Sequence, residues 1–218
     1  MDIPRDWTFE SQYSADEFDR HVREQLPWYD LATDAVTHIA RHYIPKNGRV
    51  YDIGSATGNI GRALAPILAD RNADFIGIEP SEEMVQKYEG PGDVQCCKAE
   101  HFVYEEFDLA VVFLTLMFVQ PCERQHLIKR LRKWCRPGGA IIVFDKIVPE
   151  AGYIQTVMSR LTLAGKIAAG VDPKEVIDKE LSLGGVQRPI CPEQLGSDAF
   201  LWFKFGDFAG WIIEKTDE

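Results

Sequence analysis

Apolar residues recur at helical spacing from about Ser14 to Arg41, and the texture then changes to short buried runs separated by amphipathic stretches. Residues 49–53 read as a strand, 60–69 as a helix and 74–78 as a second strand ending at Glu79. Pro80-Ser81 opens a further helix, because proline suits a first helical turn. Residues 94–98 are a third strand, and 109–114 form a continuous apolar run with the length of a strand buried on both faces. From Cys122 to Cys135, Leu127, Ile128, Leu131, Trp134 and Cys135 share one helical face, leaving Lys129, Arg130, Arg132 and Lys133 as a solvated one. Arg136-Pro137-Gly138-Gly139 stops that helix, and 140–144 is a fifth strand. Residues 201–204 and 211–215 are strand-like and joined across Gly206-Asp207-Phe208, an antiparallel pair for the sheet edge. Strands alternating with helices predict an α/β fold: a doubly wound, mostly parallel seven-stranded sheet covered on both sides, with an antiparallel C-terminal hairpin.

With 218 residues the chain is the size of one domain. By texture it divides into an N-terminal helical lid (1–47), a ligand-binding core (48–148), a substrate-side insertion (149–198) and the closing hairpin (199–218). Within the insertion 154–169 is helical, whereas Leu183-Gly184-Gly185 and 189–196 are loops; so long an excursion in an α/β domain usually carries function. A formal charge of −10 gives no general attraction to phosphate backbones or anionic membranes, which favours a small-molecule substrate over bulk nucleic acid. The five cysteines include no C-x-x-C, so no metal site is expected. The first residues lack a secretory pattern and no apolar run approaches the ~18 residues of a membrane span, so the expected location is the cytoplasm.

The candidate chemistry lies in Asp52-Ile53-Gly54-Ser55-Ala56-Thr57-Gly58. A strand feeds a turn of small residues and then a helix, so a ligand can approach the backbone and meet unpaired N–H groups. Dinucleotide enzymes use such a turn, with G-x-G-x-x-G spacing, for a pyrophosphate. S-adenosylmethionine (SAM) enzymes place an acid before a D/E-x-G-x-G-x-G turn, because SAM carries an ammonium group and no phosphate. Asp52, Gly54, Ala56 and Gly58 follow the second pattern, with Ala in the middle glycine's place. Glu79 ends the second strand, where a carboxylate can accept from both ribose hydroxyls in either class. Glu100 and His101, after the third strand, are candidates for reading the adenine. The competing reading is a tight strand–helix turn with incidental acids and a surface histidine.

In this order, Asp52 to Gly58, Glu79, the apolar strand to Phe113, Pro137-Gly138-Gly139 and the closing hairpin resemble the class I SAM-dependent methyltransferases, which have a Rossmann-like fold. Within that superfamily the chain is most similar to the carboxy-S-adenosylmethionine synthase family. The resemblance runs through Trp7-Thr8-Phe9, Pro27-Trp28-Tyr29, Thr115-Leu116, Phe118, Pro121, Glu123-Arg124-Gln125, Lys146 and Leu201-Trp202-Phe203 with Phe205 and Phe208. It implies carboxy-SAM made from SAM and prephenate through a sulfonium ylide that captures carbon dioxide, a link to tRNA wobble-uridine modification, and a homodimer. It also implies that Tyr29 lies near the new carboxylate. Two positions depart: Phe113 stands where the family has Asn, and Glu180 where it has a carboxylate-binding Arg. A charge of the wrong sign ~4 Å away repels by about 4 kcal/mol at an effective dielectric of 20, leaving Arg188 as the nearby cation to replace it.

The expectation is therefore SAM, or carboxy-SAM, held by Asp52, Gly54, Ala56, Gly58, Glu79, Glu100, His101 and Phe113, with Tyr29 and Arg188 at the reacting group. The leading reading is a SAM-dependent methyltransferase acting on a small molecule or a protein side chain. Carboxy-SAM synthesis is the alternative, and a non-catalytic SAM-fold partner subunit a third. Residues 114–118 lack the Asn/Asp-Pro-Pro-aromatic element of amino-methylating DNA enzymes. Lys146 either faces the pocket or neutralises an acid, and Trp28 and Tyr29 either line the lid or pack it onto the sheet.

Overall fold

The computed structural model describes residues 15–148 and 151–216, so the Trp7-Thr8-Phe9 element lies outside the described residues. Helices α1 (Ala15–Gln25) and α2 (Tyr29–Ala40) precede an alternating series: β1 (Arg49–Ile53), α3 (Asn59–Arg71), β2 (Asp74–Glu79), α4 (Glu82–Gln86), β3 (Asp93–Cys96), β4 (Phe107–Phe113), α5 (Pro121–Trp134) and β5 (Cys135–Lys146). Two helices, α6 (Tyr153–Ala168) and α7 (Pro173–Ser182), then lead to the hairpin of β6 (Phe200–Phe205) and β7 (Phe208–Glu214). The seven strands run β3-β2-β1-β4-β5-β7-β6 across one sheet, parallel from β3 to β5 and antiparallel on both sides of β7.

The apolar run of β4 is buried at all seven positions because β1 and β5 flank it and helices cover both faces. On one face Tyr51, Phe107, Leu127, Leu131 and Trp211 pack together; on the other Val36, Leu64, Leu109, Ile142 and Phe144 do. Each such side chain, fully withdrawn from water, contributes roughly 1.5–3 kcal/mol. Strand order reverses between β1 and β4, and an open α/β sheet has its crevice at the carboxyl ends of strands at such a point.

Several elements differ from the sequence reading. Ser81 caps α4 by accepting from Met84 N–H, and Pro80 stays outside the helix. α5 ends at Trp134, just before Arg136-Pro137-Gly138-Gly139, but that stretch is not a turn; it lies inside β5, where Gly138 N–H donates to the Lys215 carbonyl (2.7 Å) and Lys215 N–H to that of Gly139 (2.9 Å). Arg130 and Arg132 do more than solvate a face. Arg130 donates to the carbonyls of Glu100 and Phe102, and Arg132 pairs with Asp198 (2.6 Å) while donating to the Leu195 carbonyl (2.7 Å). The insertion carries α7, whose apolar periodicity is faint because only Val176 and Ser182 are buried. Its start was nonetheless written in Asp172-Pro173: the aspartate accepts from Lys174 and Glu175 N–H groups, and proline takes the first helical position. Among the described residues no helix is long and apolar enough to cross a membrane.

Candidate functional site

The turn after β1 is held open by backbone geometry and two carboxylates. Gly54 has φ +74° and its N–H donates to the Ile78 carbonyl (2.7 Å), which ties the turn to β2. Gly58, at φ +92°, lies so close to Gly90 that a Cβ would sit 2.6 Å from the Gly90 nitrogen. Ala56, in the place of the middle glycine, is left-handed at φ +45°, a costly conformation for a residue with a Cβ. Glu79 offsets that cost: Oε2 accepts from Ala56 N–H and Oε1 from Ser81 N–H, both at 2.9 Å. Burial pushes the Glu79 carboxyl up, and these two donors oppose the rise.

Asp52 is 1% exposed, and its Oδ2 has no hydrogen-bond partner among the described residues. Burial first, and the Glu79 charge second, push its carboxyl up to about 8. A buried carboxylate with an unpaired oxygen lacks a cation, and an ammonium-bearing ligand supplies one.

One cavity brings together Tyr29, Asp52, Gly54, Ala56, Glu79 and Phe113 from the sequence-predicted set. Phe113 stacks on Phe144 (centroids 5.0 Å apart) and meets the edge of Tyr29 (5.5 Å), which makes this wall aromatic. Trp28, by contrast, packs against Phe144 and Phe208 in the core and fixes α2 on the sheet. Gly58, packed against Gly90, does not line the cavity. Glu100, His101 and Arg188 are not part of the lining. The Glu100 carbonyl accepts from Arg130, and His101 is exposed. Arg188 is an exposed side chain on Gln120 Oε1 (3.2 Å), while its carbonyl accepts from Arg124 (2.6 Å).

Helix α1 covers the cavity with Phe18, Asp19, His21 and Val22. Asp19 accepts from Thr57 Oγ1 (2.6 Å) in the turn and pairs with Arg62 of α3. On the other side Gln25 donates to Glu175 of α7 (3.1 Å), and Lys179 of α7 meets His21 Nε2 at 2.9 Å. A third tie lies below the cavity. Asp145, fully buried, accepts from the N–H groups of Thr115 (3.0 Å) and Leu116 (2.6 Å), fixing the turn after β4. Burial raises its carboxyl to about 7, against those backbone donors.

The charge reversal at Glu180 does not reach the cavity. Its carboxylate pairs with Lys166 (2.7 Å) and Lys146 (3.6 Å), which hold it below the usual range despite burial. Lys146 also donates to Gln187 Oε1 (2.9 Å), so it serves this acid rather than a ligand directly. Lys179, which sequence reasoning missed, lines the cavity beside Gln187 and Leu183.

Residues 50–139 match the methyltransferase-domain family. The N-methyltransferase NodS of Bradyrhizobium japonicum superimposes with a TM-score of 0.55 at 13% identity, covering 88% of this chain and 98% of that one. The plantazolicin methyltransferase BpumL, solved with S-adenosylhomocysteine, gives 0.59 at 11% identity over 92% and 88%. Domain match and fold neighbours, with the relative named next, define a SAM-dependent transferase. A carboxy-S-adenosyl-L-methionine synthase of Staphylococcus epidermidis is 32% identical over 97% of this chain and 98% of its own length. The chain belongs to the carboxy-S-adenosyl-L-methionine synthase family.

Proposed function

We propose that this chain converts SAM into carboxy-SAM, with prephenate as the small-molecule donor that the family resemblance implies. The observation that carries the reading is the fate of Glu180: it is neutralised by Lys146 and Lys166, so the repulsion that would exclude a carboxylated nucleoside is absent from the cavity. The relative's name, over nearly the whole of both chains, points the same way. In this reading Asp52 meets the methionyl ammonium, Glu79 the ribose hydroxyls, and Tyr29 and Phe113 form the wall against the sulfonium, an arrangement favoured by cation–π attraction. When bound, SAM supplies an activated one-carbon group. The chain's own residues align it, keep water out under α1 and hold the turn rigid through Glu79 and Asp145.

Mass spectrometry of nucleosides from purified protein incubated with SAM and prephenate tests this directly. An ion about 44 Da heavier than SAM is expected; recovery of SAM or S-adenosylhomocysteine alone would overturn the reading. Phe113 favours a second possibility, methyl transfer to a small acceptor, because it puts a ring where the family has an amide. That alternative requires S-adenosylhomocysteine to accumulate in step with a methylated acceptor.

The ammonium role of Asp52 has a pH signature. Its carboxyl, about 8 in the ligand-free protein, falls on ligation, so binding releases a proton below that value. SAM affinity should rise by up to about tenfold per pH unit from pH 6 to 8 and level off above. The fold itself responds with the opposite sign: an acid raised on folding holds its proton in the native state, so ligand-free stability declines as pH climbs from about 4 to 8. Calorimetry in two buffers of different ionisation enthalpy reads the released proton, and D52N should abolish it; equal heats in both buffers at pH 7 would refute the assignment.

A further inference from the structure

Among the described residues no carboxylate lies within ion-pair distance of Lys179 Nζ. The acid next to it in sequence, Glu180, is taken by Lys146 and Lys166. The partner of Lys179 is His21 Nε2 at 2.9 Å, which must be unprotonated to accept from an ammonium. Burial and the Lys179 charge both lower the His21 pKa, which keeps the ring neutral. Lys179 lines a cavity whose walls also include Val22, Leu26, Met117, Phe118, Leu183 and the Gln187 amide. Asp52, in the same cavity, is a buried acid that no cation pairs among the described residues; Lys179 is a cation without a carboxylate. A ligand with a positive amino-acid end and an added negative group satisfies both.

We propose that Lys179, steadied by His21, is the receptor for the carboxylate that distinguishes carboxy-SAM from SAM, so that specificity rests on α7 and α1 rather than on Arg188. The inference rests on the carboxy-SAM reading. The surrounding charges suit a responsive site. Burial first, and Lys166 of α6 second, lower the Lys179 ammonium to about 8, opposed by Glu175 and Glu180 of its own helix. Glu24 and Glu175 face His21 from α1 and α7, and Asp19, Asp52 and Glu79 lie elsewhere on the cavity wall.

The test is calorimetric titration of the full chain with SAM and with carboxy-SAM, comparing the native protein with K179M and K179R. The native protein should prefer carboxy-SAM by about ten- to a hundredfold, the range of a charge-assisted hydrogen bond. K179M should erase that preference and leave the SAM affinity within about threefold, which also reports an intact fold. K179R should retain the preference, and in the native protein it should fade as pH passes about 8. If the native protein shows no preference, both the carboxy-SAM reading and this inference fail. If the native preference persists in K179M, Lys179 alone is wrong. If K179M weakens both ligands equally, the amine serves the methionyl carboxylate common to both and the inference is overturned.

Discussion

Glu79→Ala is expected to weaken SAM binding by a hundredfold or more while the protein stays folded. Glu79 sits at the C-terminal end of β2, 5% exposed, with one oxygen on the N–H of Ala56 and the other on that of Ser81. Removing the carboxylate strips an acceptor from a turn already strained at Ala56, and a buried N–H left unpaired costs about 1–3 kcal/mol. On our assignment the ribose loses its charged acceptor as well, about 1.5–3 kcal/mol more. If the turn relaxes in the free variant and must be re-formed on binding, both costs fall on the ligand, together roughly two to four orders of magnitude in Kd. Glu79→Gln keeps the volume but turns an NH2 toward one of two N–H donors, so it should recover little. Calorimetry with SAM and S-adenosylhomocysteine decides the matter: affinities within about threefold of the native value would mean that neither turn nor ribose depends on this carboxylate.

Gly54→Ala should lower stability by about 3 kcal/mol or more, a fall of about 10 °C in Tm for a chain of this size. Its φ of +74° already disfavours a Cβ, and that Cβ would stand 2.2 Å from Thr115 Oγ1 and 2.6 Å from Thr115 Cγ2. Thr115 cannot swing away freely, because its hydroxyl bonds the Ile53 carbonyl (2.8 Å) and its N–H donates to Asp145. The clash thus falls where β1 and β4 end side by side. Thermal denaturation of G54A/T115A separates the two contributions. Truncating Thr115 removes both closest atoms and leaves its Cβ at 3.0 Å, so, measured against T115A alone, Gly54→Ala should cost less than it does in the native protein. An equal cost in both backgrounds would show that steric contact with Thr115 is not the cause.

The parts of the fold that were legible in the sequence are those whose burial is set by the sheet. β4 is apolar at nearly every position because both its faces are covered, and β1 with its turn carries glycines whose backbone no other residue adopts cheaply. Strand ends and α7 were less legible. Residues 135–139 extend β5 only because β4 and Lys215 offer partners, and α7 buries too few side chains to imprint a period. The site divides the same way. Asp52, Gly54, Ala56 and Glu79 come from two adjacent strand ends and could be placed together from topology. Lys179 reaches the cavity only because α7 docks on α1, a contact spanning 158 positions of sequence. Arg188 drew notice for its charge and proximity to Glu180, yet the loop directs it to Gln120. Glu100 and His101 follow the right strand but are not part of the cavity lining, and Arg130 bonds the backbone carbonyls there.

Asp19 holds Thr57 and Arg62 with one carboxylate, so the covering helix and the turn beneath it share a fastening. Swinging α1 aside to admit or discharge a nucleoside undoes, in the same movement, a bond that keeps the turn in shape. The covering helix and the floor of the cavity are thus coupled through one side chain, and D19N, which removes the charge, should loosen both together.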